Sequence, residues 1–394
     1  MNKELERINN KKLTIMLTLM FLASLLAFTP GIEAQQPAVD QWSMFHHDSA
    51  HTGYSTSTGP LTNQTLWKFK TGNSVEYSSP SIANGVAYVG SQDRTFYALD
   101  AATGDKIWSF VAGNSIKSIA AVANGIVYVG SLDSNVYALD AKTGNQRWEF
   151  KTGNQVYSSP NVVDGVVYIG SNDHYVYALN AEDGSKIWSF KPNDSMYSSP
   201  AVVGGIVYFG SNDHNLYALD AGSGDKIWNF TTNGYVTSSP AVADGIVYFG
   251  SDDYNVYALN AQTGQKVWSY KTGDAIDSYA AVASGVVYIG SEDDYVYALD
   301  TKTGDKIWTY KTGADVESFT SVANGIVYIG SNDYYIYAIG AIDAQQPTSP
   351  SLTESPSPTI PEVPYSALTI GLVFGITTAI TLISKKVPHV VKSS

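Results

Sequence analysis

Residues 90–108 read GSQDRTFYALDAATGDKIW, and a close copy of this stretch returns about every 40 residues along the chain. A period of that size, punctuated by glycine turns, is the mark of a β-propeller. The GSxD signature ends at Asp93, Asp133, Asp173, Asp213, Asp253, Asp293 and Asp333, and tryptophans stand at Trp67, Trp108, Trp148, Trp188, Trp228, Trp268 and Trp308. Both series have seven members but run out of phase. The first tryptophan precedes the first GSxD unit, and the last copy fades at Ala338-Ile339-Gly340-Ala341 without a TG turn or a tryptophan.

Each copy reads as four short strands; in the third these are residues 158–163, 166–171, 175–180 and 186–190. Asp164-Gly165, Asn124-Gly125 and Asp244-Gly245 suit two-residue hairpin turns because both residues tolerate positive φ. The Ala-x-Thr-Gly turn, as at residues 141–144, fits a longer hairpin with glycine in the left-handed position. No helix is needed in the repeat. Residues 61–70, with Trp67, have the sequence of a fourth strand without a blade in front of them, and the last copy lacks that strand. The expected fold is therefore all-β: a seven-bladed propeller of four-stranded antiparallel blades over residues 61–341, closed by the N-terminal strand so that no sheet edge stays open.

The repeated tryptophans sit in the outermost strand, where they are expected to dock one blade on the next. A buried aromatic hides roughly 150–250 Å², on the order of 4–6 kcal/mol gross. The aspartate of GSxD recurs in every copy, which suits a turn cap better than a ligand.

The run Ala138-Leu139-Asp140-Ala141-Lys142-Thr143-Gly144 through Trp148 resembles the tryptophan-docking repeat of the pyrroloquinoline-quinone-like propeller family. Residues 42–53, beginning Trp42-Ser43-Met44-Phe45-His46-His47-Asp48, resemble the lead-in of such propellers. The family holds quinoprotein alcohol dehydrogenases and also BamB, a non-enzymatic scaffold, so the resemblance implies the fold and leaves the activity open. For the enzymes it implies a quinone clamped by adjacent cysteines, a tryptophan stacked on it and calcium held by acidic and amide groups. This chain has no cysteine, and its repeat tryptophans are committed to outer strands. Catalytic, cofactor-binding and metal-binding residues are accordingly not expected. His46, His47, Asp48 and His51 are close in sequence without matching a zinc pattern, and no cofactor is expected.

The chain ends suggest a setting. Lys3, Arg7, Lys11 and Lys12 precede an apolar run over residues 13–28, which reads as a signal peptide over residues 1–34. A lead-in at 35–60 follows. Beyond the propeller, Pro347, Pro350, Pro356, Pro358, Pro361 and Pro364 mark a Ser/Thr-rich stalk at 342–365. Residues 366–384 carry no charge and are followed by Lys385 and Lys386, the pattern of one C-terminal transmembrane helix with a cytoplasmic tail at 385–394. The expected location is a cell membrane, with the propeller on the extracytoplasmic side.

The net charge is −13. Residues 1–34 carry four basic and three acidic side chains and the tail carries three lysines, so the rest stands at −17. Such acidity disfavours nucleic acid as a partner.

Differences among copies point to a face. The residues leading into the first strand are Tyr77, Lys117, Tyr157, Tyr197, Thr237, Asp277 and Glu317. The turn after GSxD gives Arg94, Ser134, His174, His214, Tyr254, Asp294 and Tyr334. In an up-and-down blade both sets lie at one end. Tyrosines mixed with charges suit capture of a protein segment, with glycan as the second choice. The expected function is a non-enzymatic binding or scaffolding module; the alternative is a quinoprotein dehydrogenase using pyrroloquinoline quinone and calcium.

Overall fold

The computed structural model describes residues 43–55, 65–75, 77–323 and 325–340. The chain divides into two units, Met1–Ala341 and Ile342–Ser394, and every described residue belongs to the first. The expected signal peptide, stalk, membrane helix and tail lie outside the described residues. Among the described residues no helix is long and apolar enough to cross a membrane.

The described chain forms seven four-stranded sheets. In blade three the strands are Asn161–Val163, Val166–Ser171, Tyr175–Asn180 and Lys186–Phe190, paired antiparallel in chain order. The expected boundaries hold for three of them, whereas the first strand starts at Asn161 rather than at residue 158. Pro160 has no N–H to give a ladder, and Ser158 and Ser159 bond elsewhere: Ser158 Oγ accepts from Gly170 N at 3.1 Å, and Ser159 N donates to Ser199 Oγ of the next blade at 2.9 Å. The Asp164-Gly165 turn has φ of 50° and 78°, as a type I′ hairpin requires.

Alternation places one row of side chains across each blade. In blade three Tyr168 pairs with Ala178 and Ala178 with Trp188, so the small alanine lets the two large rings meet at 5.8 Å. Tyr168 Oη and Trp188 Nε1 then donate to one carbonyl of the next blade, Ala221 O, at 3.1 and 2.9 Å. Tyr128 with Trp148 does the same to Ala181 O, and Tyr208 with Trp228 to Ala261 O. The docking glycine of the turn before the outer strand, which follows Asp183 in this blade where most other copies have a threonine, is needed twice over. Gly184 sits at φ +72°, and a Cβ on it would lie 2.7 Å from the Trp148 ring. The GSxD aspartate is the expected cap: Asp173 accepts from Tyr175 N at 3.0 Å, Gly153 N at 2.6 Å and Tyr177 Oη at 2.7 Å. Because Gly153 follows the outer strand of blade two, the cap also ties adjacent blades.

Ring closure departs from expectation. Residues 65–70 form no ladder; the fourth strand of the seventh sheet is Tyr54–Ser55, parallel to Ser321–Ala323 at the inner edge. The outer strand of that sheet is Ile336–Ile339. The cause is the path of the lead-in. Ser43 O, Ser49 O, Ala50 O, Thr52 O and Gly53 O accept in turn from Val122, Val202, Val242, Val282 and Val322 N, at 2.7–2.8 Å. The lead-in thus winds along the innermost strands as an axle and delivers Tyr54–Ser55 to blade seven. Trp67 still docks as a fourth-strand tryptophan would, donating from Nε1 to Ala101 O at 3.0 Å, while Phe69 meets Tyr97 at 5.2 Å.

Candidate binding site at the channel mouth

The seven residues leading into the first strands encircle the axle, and the structure draws four of them together. Tyr77, Lys117, Tyr157 and Tyr197 line one pocket of about 320 Å³. Lys117 Nζ stands 4.7 Å from the Tyr77 ring centre and 6.0 Å from that of Tyr157, and the rings of Tyr157 and Tyr197 are 5.3 Å apart. Such ammonium–ring contacts contribute roughly 0.5–1 kcal/mol when exposed and fix the lysine against the aromatic wall. Tyr77 adopts φ +60°, a strained conformation for a bulky residue, and is 58 % exposed.

The pocket floor comes from residues that the sequence patterns did not single out. Phe45 of the axle is 1 % exposed and meets Tyr279 and Phe319 edge-on at 5.5 and 5.4 Å, while these two stack on each other at 4.6 Å. The signal was present in the repeat: at this position blades three, four and five carry Ser159, Ser199 and Ser239, and blades six and seven carry Tyr279 and Phe319.

Across the mouth lies an acidic half. Thr237 Oγ1 donates to Asp277 Oδ1 at 2.5 Å, and Asn332 Nδ2 donates to Glu317 Oε1 at 2.9 Å. Asp252 is pushed up to about 7, first by burial and then by the charge of Asp277. Glu292 is likewise pushed up to about 7 by burial, Asp277 and Glu317. Asp252 and Glu292 were missed because they occupy the variable position of GSxD, which reads Gln92, Leu132, Asn172, Asn212, Asp252, Glu292 and Asn332 in the seven copies.

The second expected set does not join this pocket. Arg94, Ser134, His174, His214, Tyr254, Asp294 and Tyr334 all adopt φ near +72° in the turns after GSxD. Arg94 O, Ser134 O and His214 O accept from the residues that follow the outer strands, Ala112 N, Thr152 N and Thr232 N, which places these turns away from the axle. Tyr334 is 99 % exposed. The two sets share an end of the blades but form an inner and an outer ring rather than one surface patch.

His46 and His51 belong to the axle. Burial holds them down to about 4 and about 3, so both are neutral near neutral pH. Asn161 Nδ2 donates to Ser49 O and Pro200 O at 2.9 and 3.0 Å and lies 3.2 Å from His51 Nε2. Among the described residues no group of three or more His, Cys, Asp and Glu side chains is placed to hold a metal ion. Among the described residues no side chains are arranged to clamp a quinone. The chain has no cysteine, Trp67, Trp108, Trp148, Trp188, Trp228 and Trp268 each donate to a carbonyl of the next blade, and Trp308 packs on Tyr288 at 5.8 Å.

Solved structures share this fold at low identity. BamB from Moraxella catarrhalis is 21 % identical with a TM-score of 0.64, over 72 % of this chain and 90 % of that one. The computationally designed protein Ika8 is 21 % identical with a TM-score of 0.62, over 67 % and 83 %. A quinohemoprotein alcohol dehydrogenase from Pseudomonas putida HK5 is 17 % identical with a TM-score of 0.65, over 77 % and 71 %. No curated protein sequence matches the chain. The family described as outer membrane protein assembly factor BamB matches residues 52–120, 111–198, 172–280 and 271–347, well over half of the sequence, and the chain belongs to this family.

Proposed function

We propose that this chain is a non-enzymatic binding module that holds a segment of a partner protein over the channel mouth. The observation that carries this reading is the convergence of Tyr77, Lys117, Tyr157 and Tyr197 on one pocket with an apolar floor. Tyrosines present large, rigid contact area at small entropic cost and keep a hydroxyl for hydrogen bonding, which suits recognition more than catalysis. The acidic half, from Asp277 to Glu317, adds a site for a basic side chain of the same segment. The family's description as an assembly factor fits a protein-organising role. The signal peptide, stalk and C-terminal membrane helix expected from the sequence would hold the module outside a membrane, where a tethered binder meets partners at high local concentration.

The test is partner capture on intact cells by crosslinking, followed by the triple variant Lys117→Ala, Tyr157→Ala, Tyr197→Ala. Capture should fall at least tenfold while circular dichroism stays that of the parent. Unchanged capture would sink the assignment of the mouth. Alcohol-dependent dye reduction after addition of pyrroloquinoline quinone and calcium would instead establish the enzyme reading.

A further inference from the structure

The mouth pocket has a way in and none through. Ser43, Ser49, Ala50, Thr52 and Gly53 fasten the axle by their carbonyls to the innermost strands of five blades, so the axle fills the channel beneath the pocket. Phe45 closes the pocket from below and is 1 % exposed, with the stacked rings of Tyr279 and Phe319 against it. Tyr77, Tyr157 and Tyr197 stand around the opening. An interior stretch of a chain would have to pass both of its arms through that opening, whereas a chain end passes one.

The polar groups separate the two kinds of chain end. Ser159 and Ser199 line the pocket, and their hydroxyl oxygens already accept from Ile119 N and Ser159 N at 3.0 and 2.9 Å, as staples between blades. Among the described residues that line the pocket, Lys117 is the one basic side chain and there is no acidic one. Lys117 is half-buried, with its ammonium held 4.7 and 6.0 Å from the ring centres of Tyr77 and Tyr157. An anion that enters meets this ammonium and can take charge-assisted hydrogen bonds from it, whereas a terminal amine meets like charge.

Charge across the mouth sets the direction. Asp277 and Glu317 lead into blades six and seven. They repel a carboxylate toward Lys117, and the residues upstream of the end then pass the acidic side, where a lysine or arginine is favoured.

We propose, on the reading that the mouth binds protein, that the segment held there is the C-terminal end of a partner protein. Its free carboxylate pairs with Lys117, its last, apolar side chain rests on Phe45, Tyr279 and Phe319, and a basic residue upstream faces Asp277 and Glu317. Capture of a chain terminus through its charge is a recurring mode of peptide recognition.

The experiment uses the purified full-length protein and three hexapeptides with a radiolabelled acetyl cap. These are Gly-Lys-Gly-Ser-Gly-Leu as the free acid, the same peptide as its C-terminal amide, and Gly-Lys-Gly-Ser-Glu-Leu amide, whose carboxylate is on a side chain. Binding is measured by equilibrium dialysis. The free acid should bind one equivalent saturably, and both amides at least tenfold more weakly. Lys117→Met should bring the free acid and its amide to equal affinity; Lys117→Gln serves the same end if that variant misfolds. Equal affinity of the free acid and either amide in the wild type, an unchanged preference in the Lys117 variant, or no saturable binding of the free acid would overturn the chain-end assignment. Loss of partner capture by the triple variant in cells reads the mouth itself, so the chain end can fail while the mouth stands.

Discussion

Two glycines of blade three separate the cost of a turn from the cost of blade docking. Gly165 sits at φ +78° with nothing within 4 Å of a built Cβ, whereas Gly184 sits at φ +72° with a Cβ position 2.7 Å from Trp148 Cδ2 and Cε3. Both substitutions to alanine incur the left-handed penalty of about 1–2 kcal/mol. Gly184→Ala must also push the indole off its seat. That displacement strains the bonds from Trp148 Nε1 and Tyr128 Oη to Ala181 O, both 3.0 Å. Overpacking of this kind costs about 1–3 kcal/mol, so Gly184→Ala should total about 2–5 kcal/mol. Urea unfolding followed by tryptophan fluorescence and by circular dichroism gives the difference directly. Equal midpoints and slopes for the two variants would refute the claim that the tryptophan rests on the turn glycine and holds the blades together.

Other outcomes follow from the same structure. Asp173→Asn replaces one of two oxygens that serve three donors, and should lower stability by about 1–3 kcal/mol in denaturant melts. Phe45→Ala opens the axle beneath the mouth, at an expected cost of about 3–5 kcal/mol, and should make residues 43–55 sensitive to protease; resistance equal to wild type would contradict the axle. Stability should peak in mildly acidic solution. Below 6.5 the unfolded chain binds more protons than the folded one at His46 and His51, held down to about 4 and about 3, so stability is lost as pH falls through that window. Above the ordinary carboxylate values of 3.8 and 4.5 the folded chain binds more protons at Asp252 and Glu292, so stability is lost as pH rises toward about 7. Thermal melts from pH 4 to 8 should show both limbs, and Asp252→Asn should flatten the upper one; an unchanged upper limb would contradict the raised position of Asp252.

Much of the fold was legible because the repeat speaks through side chains. Val, Tyr and Ile alternation marked the strands, Asp-Gly marked the hairpins, and the tryptophan series marked docking. What stayed hidden is held by backbone groups. The axle binds through the carbonyls of Ser43, Ser49, Ala50, Thr52 and Gly53, which any residue could supply, and Tyr54–Ser55 is too short to show alternation. Trp67 therefore led to the right docking partner and the wrong sheet edge. At the mouth, Tyr77, Lys117, Tyr157 and Tyr197 were readable as departures among copies. Phe45 was not, since the lead-in occurs once and has no copies to compare. The outer turns looked equivalent to the inner ones because period alone gives the end of a blade but not the distance from the axis.

The most direct test of the mouth as the binding site is photo-crosslinking from single positions in the full-length protein in intact cells. A photoreactive residue at 157 or 197 should trap one common protein partner, and the same residue at 187, an outer-strand position 48 % exposed in the parent, should trap none of it. Trapping of that partner from 187 but not from 157 or 197 would contradict the account.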